Sequence, residues 1–183
     1  MSAPLAPGAA VGNPTVSAAG AHAVLALIDD RLITLNRVVG LIRRRNLPVR
    51  SVSVGPAAAP GLSRLTIMIQ SDEAAAARAV QHLDKVVGVR EASTFDARDG
   101  VTRELALIKL RARPDRYAEL LDVIQLYNAA VVDDTPLALV VEVTGSDAFV
   151  LSCLRALERF EVLDVARSGV VALCTHTPPE MLS

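Results

Sequence analysis

Strand-like and helix-like hydrophobic patterns alternate along this chain in an order that few folds can accommodate. Residues 23–28 are a continuous apolar run, which is typical of a strand buried on both faces. Four apolar residues then recur at helical spacing, namely Leu35, Val38, Val39 and Ile42. The arginines at 43–45 close this predicted helix, and residues 50–54 and 62–70 follow as two alternating strands.

The next segment completes a strand–helix–strand–strand–helix–strand order. Ser71 and Asp72 are suited to cap a second helix. The apolar face of that helix is predicted to consist of Ala76, Ala79, Val80, Leu83 and Val87. Residues 87–95 then have the composition of a strand. The order βαββαβ is that of the ferredoxin-like unit, so we predict one such domain over residues 21–96.

A polar stretch at residues 96–100 ends in glycine and marks the predicted domain boundary. Beyond it, residues 105–110 are predicted to be a strand and residues 115–128 an amphipathic helix. The inward-facing residues of this helix are expected to be Leu120, Leu121, Ile124 and Tyr127. Two more strands are predicted at 131–133 and 137–144, separated by a turn.

A final helix and two strands complete the second series. Gly145, Ser146 and Asp147 open a helix that is predicted to run to Phe160. Two strands at 162–166 and 170–174 are expected to pair around Ser168 and Gly169, and the apolar segments 105–110 and 165–173 are expected to lie in the core.

The predicted fold is therefore α+β, with two ferredoxin-like βαββαβ domains in tandem at residues 21–96 and 101–177. Residues 1–20 carry no charged side chain and are rich in Ala, Pro, Gly and Ser, so we predict a disordered tail there. The end of the chain from Thr175, which contains two adjacent prolines, is expected to be loose.

Composition argues against several classes of partner. The net charge is −1 and aromatic residues make up only 3% of the chain, which disfavours nucleic acid and anionic membrane surfaces. The arginines at 43–45 have two interpretations: a site for phosphate or an acidic surface, or the solvated end of a helix. Cys153 and Cys174 form no paired motif, and no secretion signal is present, so we expect a cytoplasmic protein.

No catalytic or metal-binding constellation is evident. His22, His82 and His176 lie in unrelated elements, and phosphate-binding glycine loops and a nucleophile elbow are absent. The adjacent carboxylates at 29–30 and 133–134 could serve acid–base work or a cation, but pairs at strand ends are more often turn residues. We therefore predict no catalytic residue, no metal and no cofactor in this chain, and favour a binding or regulatory module.

Three blocks of sequence resemble one family. The first is Val-Ser-Val-Gly-Pro at 52–56 with Pro-Gly-Leu-Ser-Arg-Leu-Thr-Ile at 60–67. The second is Arg-Glu-Leu-Ala-Leu-Ile-Lys-Leu at 103–110, and the third is Val-Ala-Arg-Ser-Gly-Val-Val-Ala-Leu at 165–173. Together, in this order, they resemble the small subunits of acetolactate synthase (acetohydroxyacid synthase).

The resemblance implies a regulatory subunit, not an enzyme in its own right. Its N-terminal domain would be an ACT domain that forms a homodimer and binds a feedback amino acid at the interface. Its partner would be a large catalytic subunit that carries thiamine diphosphate, Mg²⁺ and FAD and works in valine, leucine and isoleucine biosynthesis. The alternatives are a free-standing ACT-type amino-acid sensor, which would lack the blocks around Arg103 and Arg167, and an independent enzyme.

The resemblance also marks the positions expected to meet the effector, and here the chain departs from the family. These positions are Asp30, Ile33, Thr34, Leu35, Pro48 and Val49. Asp30 and Pro48 stand where the family has asparagine, and Ile33 stands where it has glycine. A carboxylate about 4 Å from the ligand carboxylate costs about 4 kcal/mol before screening, at an effective dielectric of about 20.

The two other substitutions add to this effect. Ile33 would be strained if its backbone were left-handed and would fill ligand space, and Pro48 lacks a donor. We therefore expect valine to bind weakly or not at all. The alternative is that the turn shifts by one residue and backbone donors still bind the amino acid.

Overall fold

The computed structural model describes residues 20–174, and its first half is a four-stranded antiparallel sheet with two helices on one face. Its elements are β1 (Ala21–Asp29), α1 (Leu32–Arg45), β2 (Val49–Pro56), β3 (Leu62–Gln70), α2 (Glu73–Leu83) and β4 (Val89–Asp96). The strand order is β2-β3-β1-β4. The predicted tail at 1–20, apart from Gly20, and the predicted loose end from Thr175 lie outside the described residues.

Strand β1 is buried on both faces, as its continuous apolar run predicts. Val24, Ala26 and Ile28 point to the side of α1 and α2 and belong to the core beneath the helices. Ala23 and Leu25 point to the other side and pack against the C-terminal end of the described chain. The central strand of the first sheet is therefore enclosed by both halves of the molecule.

Helix α2 begins as predicted but ends earlier. The side chain of Asp72 accepts a hydrogen bond from the backbone N–H of Ala75 at 2.6 Å, which is the expected N-cap. The helix ends at Leu83, so the prediction that Val87 belongs to its apolar face is wrong, and Val87 is 73% exposed. The chain instead turns towards Gly88, whose φ of +98° is open to glycine but strained for other residues.

The second half repeats the architecture with an extra strand. Its elements are β5 (Gly100–Arg111), a 3₁₀ turn (Pro114–Arg116), α3 (Tyr117–Leu126), β6 (Ala130–Asp134), β7 (Ala138–Gly145), α4 (Asp147–Leu157), β8 (Val162–Arg167) and β9 (Val171–Cys174). The strand order is β6-β7-β5-β8, and β9 pairs with the first part of β5. Both helices are shorter than predicted: the 3₁₀ turn precedes α3, and α4 stops three residues before Phe160.

The two last strands do not pair with each other, so the predicted strand pair around Ser168 and Gly169 is wrong. Strand β8 pairs with residues 106–110 of β5, and β9 pairs with residues 100–103 of the same strand. The two strands thus lie in line along one partner, with Ser168 bridging to Leu105 through two hydrogen bonds of 3.0 Å. Gly169, with φ of +73°, forms a bend between them and not a hairpin turn.

The expectation that the segments 105–110 and 165–173 lie wholly in the core is also wrong. Ala106, Ile108 and Leu110 are buried under the helices, whereas Leu107 on the opposite face is exposed. In β9, Ala172 is buried and its neighbours Val171 and Leu173 are exposed. Successive side chains of a strand point to opposite faces. The helices cover the face that carries Ile108, whereas Ala172 is buried against Ala23 and Leu25 of the first sheet.

The cysteines provide a test of this packing. Cys153 is completely buried in the second core, and burial raises the pKa of its thiol to about 11, whereas Cys174 is exposed at the end of β9. At about pH 8 we expect Cys153 to react with a thiol reagent roughly 100-fold more slowly than Cys174, because the thiolate is the reactive form. Both thiols should react quickly in concentrated urea, and Cys174→Ser should remove the fast phase. A fast phase that persists in this variant would contradict the packing of Cys153.

Candidate functional site

The turn between β1 and α1 is held by the loop that joins β2 to β3. The backbone N–H of Asp30 donates to the carbonyl of Gly61 at 2.9 Å, and the carboxylate of Asp30 accepts from the hydroxyl of Ser63 at 2.9 Å. Asp29 pairs with Arg90 at 2.7 Å. The two adjacent carboxylates are therefore engaged in fixing the turn, in agreement with their interpretation as turn residues.

The backbone at Ile33 is right-handed, so one of the two effects expected of this residue is absent. This residue lies in the first turn of α1, where the backbone is right-handed, and the described non-glycine residues with positive φ are Asn46 and Asn128. The strain expected if the backbone of Ile33 were left-handed is therefore absent. Ile33 and its neighbour Leu32 are exposed beside the turn, so their bulk occupies the space in front of it.

At two of the other predicted effector positions, the side chain points into the protein and away from solvent. Thr34 is 1% exposed and packs against Gly88, where an added Cβ would lie 2.6 Å from the threonine hydroxyl oxygen. Leu35 is half-buried and packs on the core of the first sheet. Their side chains therefore serve the fold.

Asp30 occupies the position that most affects an anionic ligand. No side chain caps the N-terminus of α1, and no acidic residue lies in its first turn. The partial positive charge at a helix N-terminus favours anions. The carboxylate of Asp30, immediately before the helix, would therefore repel the carboxylate of an amino acid drawn to the same end.

The remaining predicted positions, Pro48 and Val49, lie at the opposite end of α1. Asn46 ends the helix in a left-handed conformation, with φ of 49°, and the carbonyl of Pro48 accepts from the N–H of Gln70 at 3.0 Å. Helix α1 has 14 residues and is therefore about 21 Å long. The structure thus separates the six positions into two groups that cannot contact the same amino acid within one chain.

A second polar cluster joins the two sheets, and sequence reasoning did not identify it. Arg167 donates to both carboxylate oxygens of Glu104, at 2.9 and 2.5 Å, and to Asp147 at 2.9 Å. Arg50 of the first sheet pairs with the same Asp147 at 3.2 Å. Burial alone would lower the pKa of Arg167, but its hydrogen bonds and ion pairs with Glu104 and Asp147 raise the pKa above its ordinary value.

Strand β2 also contacts the bend between β8 and β9 directly. The hydroxyl of Ser53 donates to the carbonyl of Ser168 at 3.2 Å, and the N–H of Val170 donates to the hydroxyl of Ser51 at 3.4 Å. A Cβ at Gly169 would lie 2.8 Å from the Ser53 hydroxyl oxygen. The strand that begins at the second group of effector positions therefore continues into the domain junction.

In the part of the chain that the structure describes, we find no cluster of side chains with a catalytic arrangement. Within residues 20–174, no three His, Cys, Asp or Glu side chains are placed to hold a metal ion. His22 is buried with its Nδ1 3.1 Å from the carbonyl of Ser71, and the pKa of His82 is lowered by burial and by nearby arginines and a lysine. His176 lies outside the described residues. None of the described helices has the length and apolarity needed to cross a membrane.

Comparison with known proteins identifies the family. The profile of an AHAS small subunit-like ACT domain matches residues 30–91, and the profile of the small subunit of acetolactate synthase matches residues 103–176. The acetolactate synthase small subunit of Mycobacterium leprae is 33% identical over 163 residues, which cover 89% of this chain and 93% of that protein. This chain belongs to the acetolactate synthase small subunit family.

Other relatives agree with this assignment. The probable acetolactate synthase small subunit of Archaeoglobus fulgidus is 29% identical over 83% of this chain and 95% of that protein. The crystal structure of the acetolactate synthase small subunit from Thermotoga maritima superimposes with a TM-score of 0.80 at 28% identity, covering 86% of this chain and 98% of that one. The family resemblance and the α+β fold with tandem βαββαβ units are confirmed, and as a small subunit the chain is not catalytic by itself.

In this member of the family, the three blocks that carried the resemblance meet at the domain junction. Ser53 comes from the first block, Glu104 from the second, and Arg167 and Ser168 from the third. The blocks are far apart in sequence, with Glu104 and Arg167 separated by 63 positions. The junction is therefore built from the segments by which the family is recognised.

Proposed function

We propose that this chain binds the large catalytic subunit of acetolactate synthase and activates it. Family membership over 89% of the chain, with one profile match in each half, supports this role. The partner would carry thiamine diphosphate, Mg²⁺ and FAD, would form acetolactate for valine, leucine and isoleucine synthesis, and would work in the cytoplasm. This chain would contribute no cofactor.

The test is reconstitution with the large subunit of the same organism. We expect the two chains to co-purify and the mixture to form acetolactate faster than the large subunit alone. The small subunit with pyruvate and thiamine diphosphate should show no turnover. Failure of the two chains to associate, or turnover by this chain alone, would refute the proposal.

The subunit role is better supported than a free-standing ACT-type sensor. The match at 103–176 falls in the second sheet, which such a sensor would not need. We retain residues 21–96 as the ACT domain and residues 101–177 as the C-terminal domain. The first sheet closes at Asp96 and the second begins at Gly100, which supports this division.

The exposed apolar surface of the first sheet supports a homodimer through the ACT domain. Leu32 and Val39 lie two turns apart on α1 and are both exposed. Val52 and Val54 are exposed on β2, which is an edge strand of the sheet. All four are exposed apolar side chains, and an edge strand offers unpaired backbone groups to a second copy.

Val39→Glu should weaken this dimer. Placing a carboxylate in the middle of a desolvated apolar interface costs several kcal/mol unless it is paired. We expect the dimer dissociation constant to rise at least about 30-fold, equivalent to about 2 kcal/mol, as measured by sedimentation equilibrium. Val132→Glu is the matched control, because Val132 is about as exposed as Val39, at 52% against 50%, but lies on β6 of the second sheet. Equal dissociation of both variants would contradict the proposed interface.

A dimer would also explain how the two effector groups could act together. Two copies of α1 packed antiparallel around a two-fold axis bring the N-terminus of one helix beside the C-terminus of the other. The turn at Asp30 and Ile33 would then face Pro48 and Val49 of the second copy. We propose that an amino-acid effector site forms there and that its valine affinity is weak, with a dissociation constant above about 1 mM. Tight, saturable heat in a calorimetric titration with valine would refute this.

A further inference from the structure

A cleft at the far end of the second domain is not accounted for by the proposed regulatory role. Its volume is about 400 Å³. Four arginines line it together with a few other side chains, and the full lining is Arg111, Arg113, Arg116, Leu120, Arg159, Phe160 and Glu161. The cleft lies at the end of β5, where Arg111 is seven residues, or about 23 Å along the strand, from Glu104 at the domain junction.

The fold holds most of these arginines in place. Arg111 and Arg113 both bind Glu161, at 2.7 and 3.1 Å. Arg116 donates to the backbone carbonyl of Arg159 at 2.7 Å and to Glu119 at 3.2 Å. Because these guanidinium groups are already positioned, little conformational entropy would be lost when an anion binds.

Arg159 is the least satisfied member of the group. Its guanidinium carbon lies 4.9 Å from the centre of the Phe160 ring, and that of Arg116 lies 4.7 Å from the same centre. Within residues 20–174, the Arg159 side chain makes no hydrogen bond or ion pair. A guanidinium that stacks on a ring keeps its N–H edge available to an acceptor.

These charged side chains leave a surplus of two positive charges at the cleft. Four arginines face the carboxylates of Glu161 and Glu119. The pKa of Glu161 is lowered by its hydrogen bonds from Arg111 and Arg113, so this carboxylate stays ionised at neutral pH and the surplus is constant there. A phosphate monoester carries close to two negative charges at pH 7 and offers three acceptor oxygens.

We propose that this cleft binds a small phosphate-bearing ligand, with the phosphate group held by Arg159 and its neighbouring arginines. The volume of about 400 Å³ lies within the range of small-molecule pockets. A concave site of this size suits a small anion better than an acidic protein segment. The site is distinct from the amino-acid positions around α1.

Calorimetric titration of the full chain with inorganic pyrophosphate tests this proposal. We expect saturable binding that weakens as ionic strength increases, and no binding of acetate. Arg159→Gln should weaken pyrophosphate binding at least tenfold, since it removes a charged two-pronged donor. Arg159→Lys keeps the charge but loses the planar fork, so its pyrophosphate affinity should lie between those of the wild type and Arg159→Gln. Arg78→Gln on the exposed face of α2 is the charge-matched control and should leave binding unchanged.

Two outcomes would overturn the proposal. The first is absence of saturable binding by the wild-type chain, or an equal loss in Arg159→Gln and Arg78→Gln. The second is a wild-type chain that ignores pyrophosphate while Arg159→Gln reduces association with the large subunit, which would make the cleft a protein-docking surface. Because the titration uses the isolated chain, its result is independent of whether the chain activates the large subunit.

Discussion

Arg167→Met should lower the free energy of unfolding by about 3 kcal/mol. The substitution leaves the carboxylate of Glu104, only 3% exposed, without its two hydrogen bonds from the guanidinium. Removing one partner of a buried ion pair leaves an uncompensated buried charge and costs about 3–5 kcal/mol. The lower end of this range applies, because the Arg167 side chain is about a third exposed and water can reach the pair. Urea denaturation measures the change.

Two further variants make this test specific. Arg78→Met removes an arginine from an exposed helix face and should change the stability by less than about 0.5 kcal/mol. The double variant Glu104→Met with Arg167→Met removes both charges and should regain most of the lost stability, because a buried apolar pair needs no hydrogen-bond partners. If the double variant were less stable than Arg167→Met, the buried charge would not be the cause.

Restoring the family residues at three effector positions should strengthen valine binding at least about 30-fold. The changes are Asp30→Asn, Ile33→Gly and Pro48→Asn. The largest contribution is expected from Asp30, whose repulsion of a ligand carboxylate is about 4 kcal/mol at about 4 Å and an effective dielectric of about 20. Asp30 is exposed, so solvent screening reduces this to about 2 kcal/mol, which corresponds to the 30-fold change.

Calorimetry on the triple variant measures this gain, and a charge-matched substitution provides the control. Asp72→Asn also neutralises a carboxylate at a helix N-terminus, but at α2, so valine affinity should not change. Asparagine at position 30 keeps an oxygen that can accept from Ser63, so the turn should persist. If valine bound the wild type and the triple variant equally, the departures from the family residues would not control affinity.

The order and type of the elements could be predicted from the sequence because hydrophobic periodicity is local. The apolar run of β1 and the cap at Asp72 both lie within a few residues of the structure they determine. The errors occurred where the deciding partner is distant. Val87 fits the helical period, but the chain leaves the helix at Leu83 and turns towards Gly88, which packs against Thr34.

The effector positions show the same division. The resemblance identified Asp30 and Pro48 as positions of interest, and the helical spacing between them predicted that a helix separates them. Only the structure shows that Asp30 is held by Gly61 and Ser63, about 30 residues later in the chain. The expected strand pair around Gly169 failed for a related reason. Strands β8 and β9 each pair with β5, more than 50 residues earlier, and not with the adjacent segment.

By itself, the sequence determined that this protein folds into two βαββαβ units with an aliphatic core, because the period of its apolar residues distinguishes helices from strands. Only the tertiary structure decided which charges meet. Glu104 and Arg167 pair across 63 residues, and Arg111, Arg113, Arg116 and Arg159 gather at one cleft from separate segments. Side-chain pairing depends on positions in space, which follow from sheet topology and register and not from neighbours along the chain.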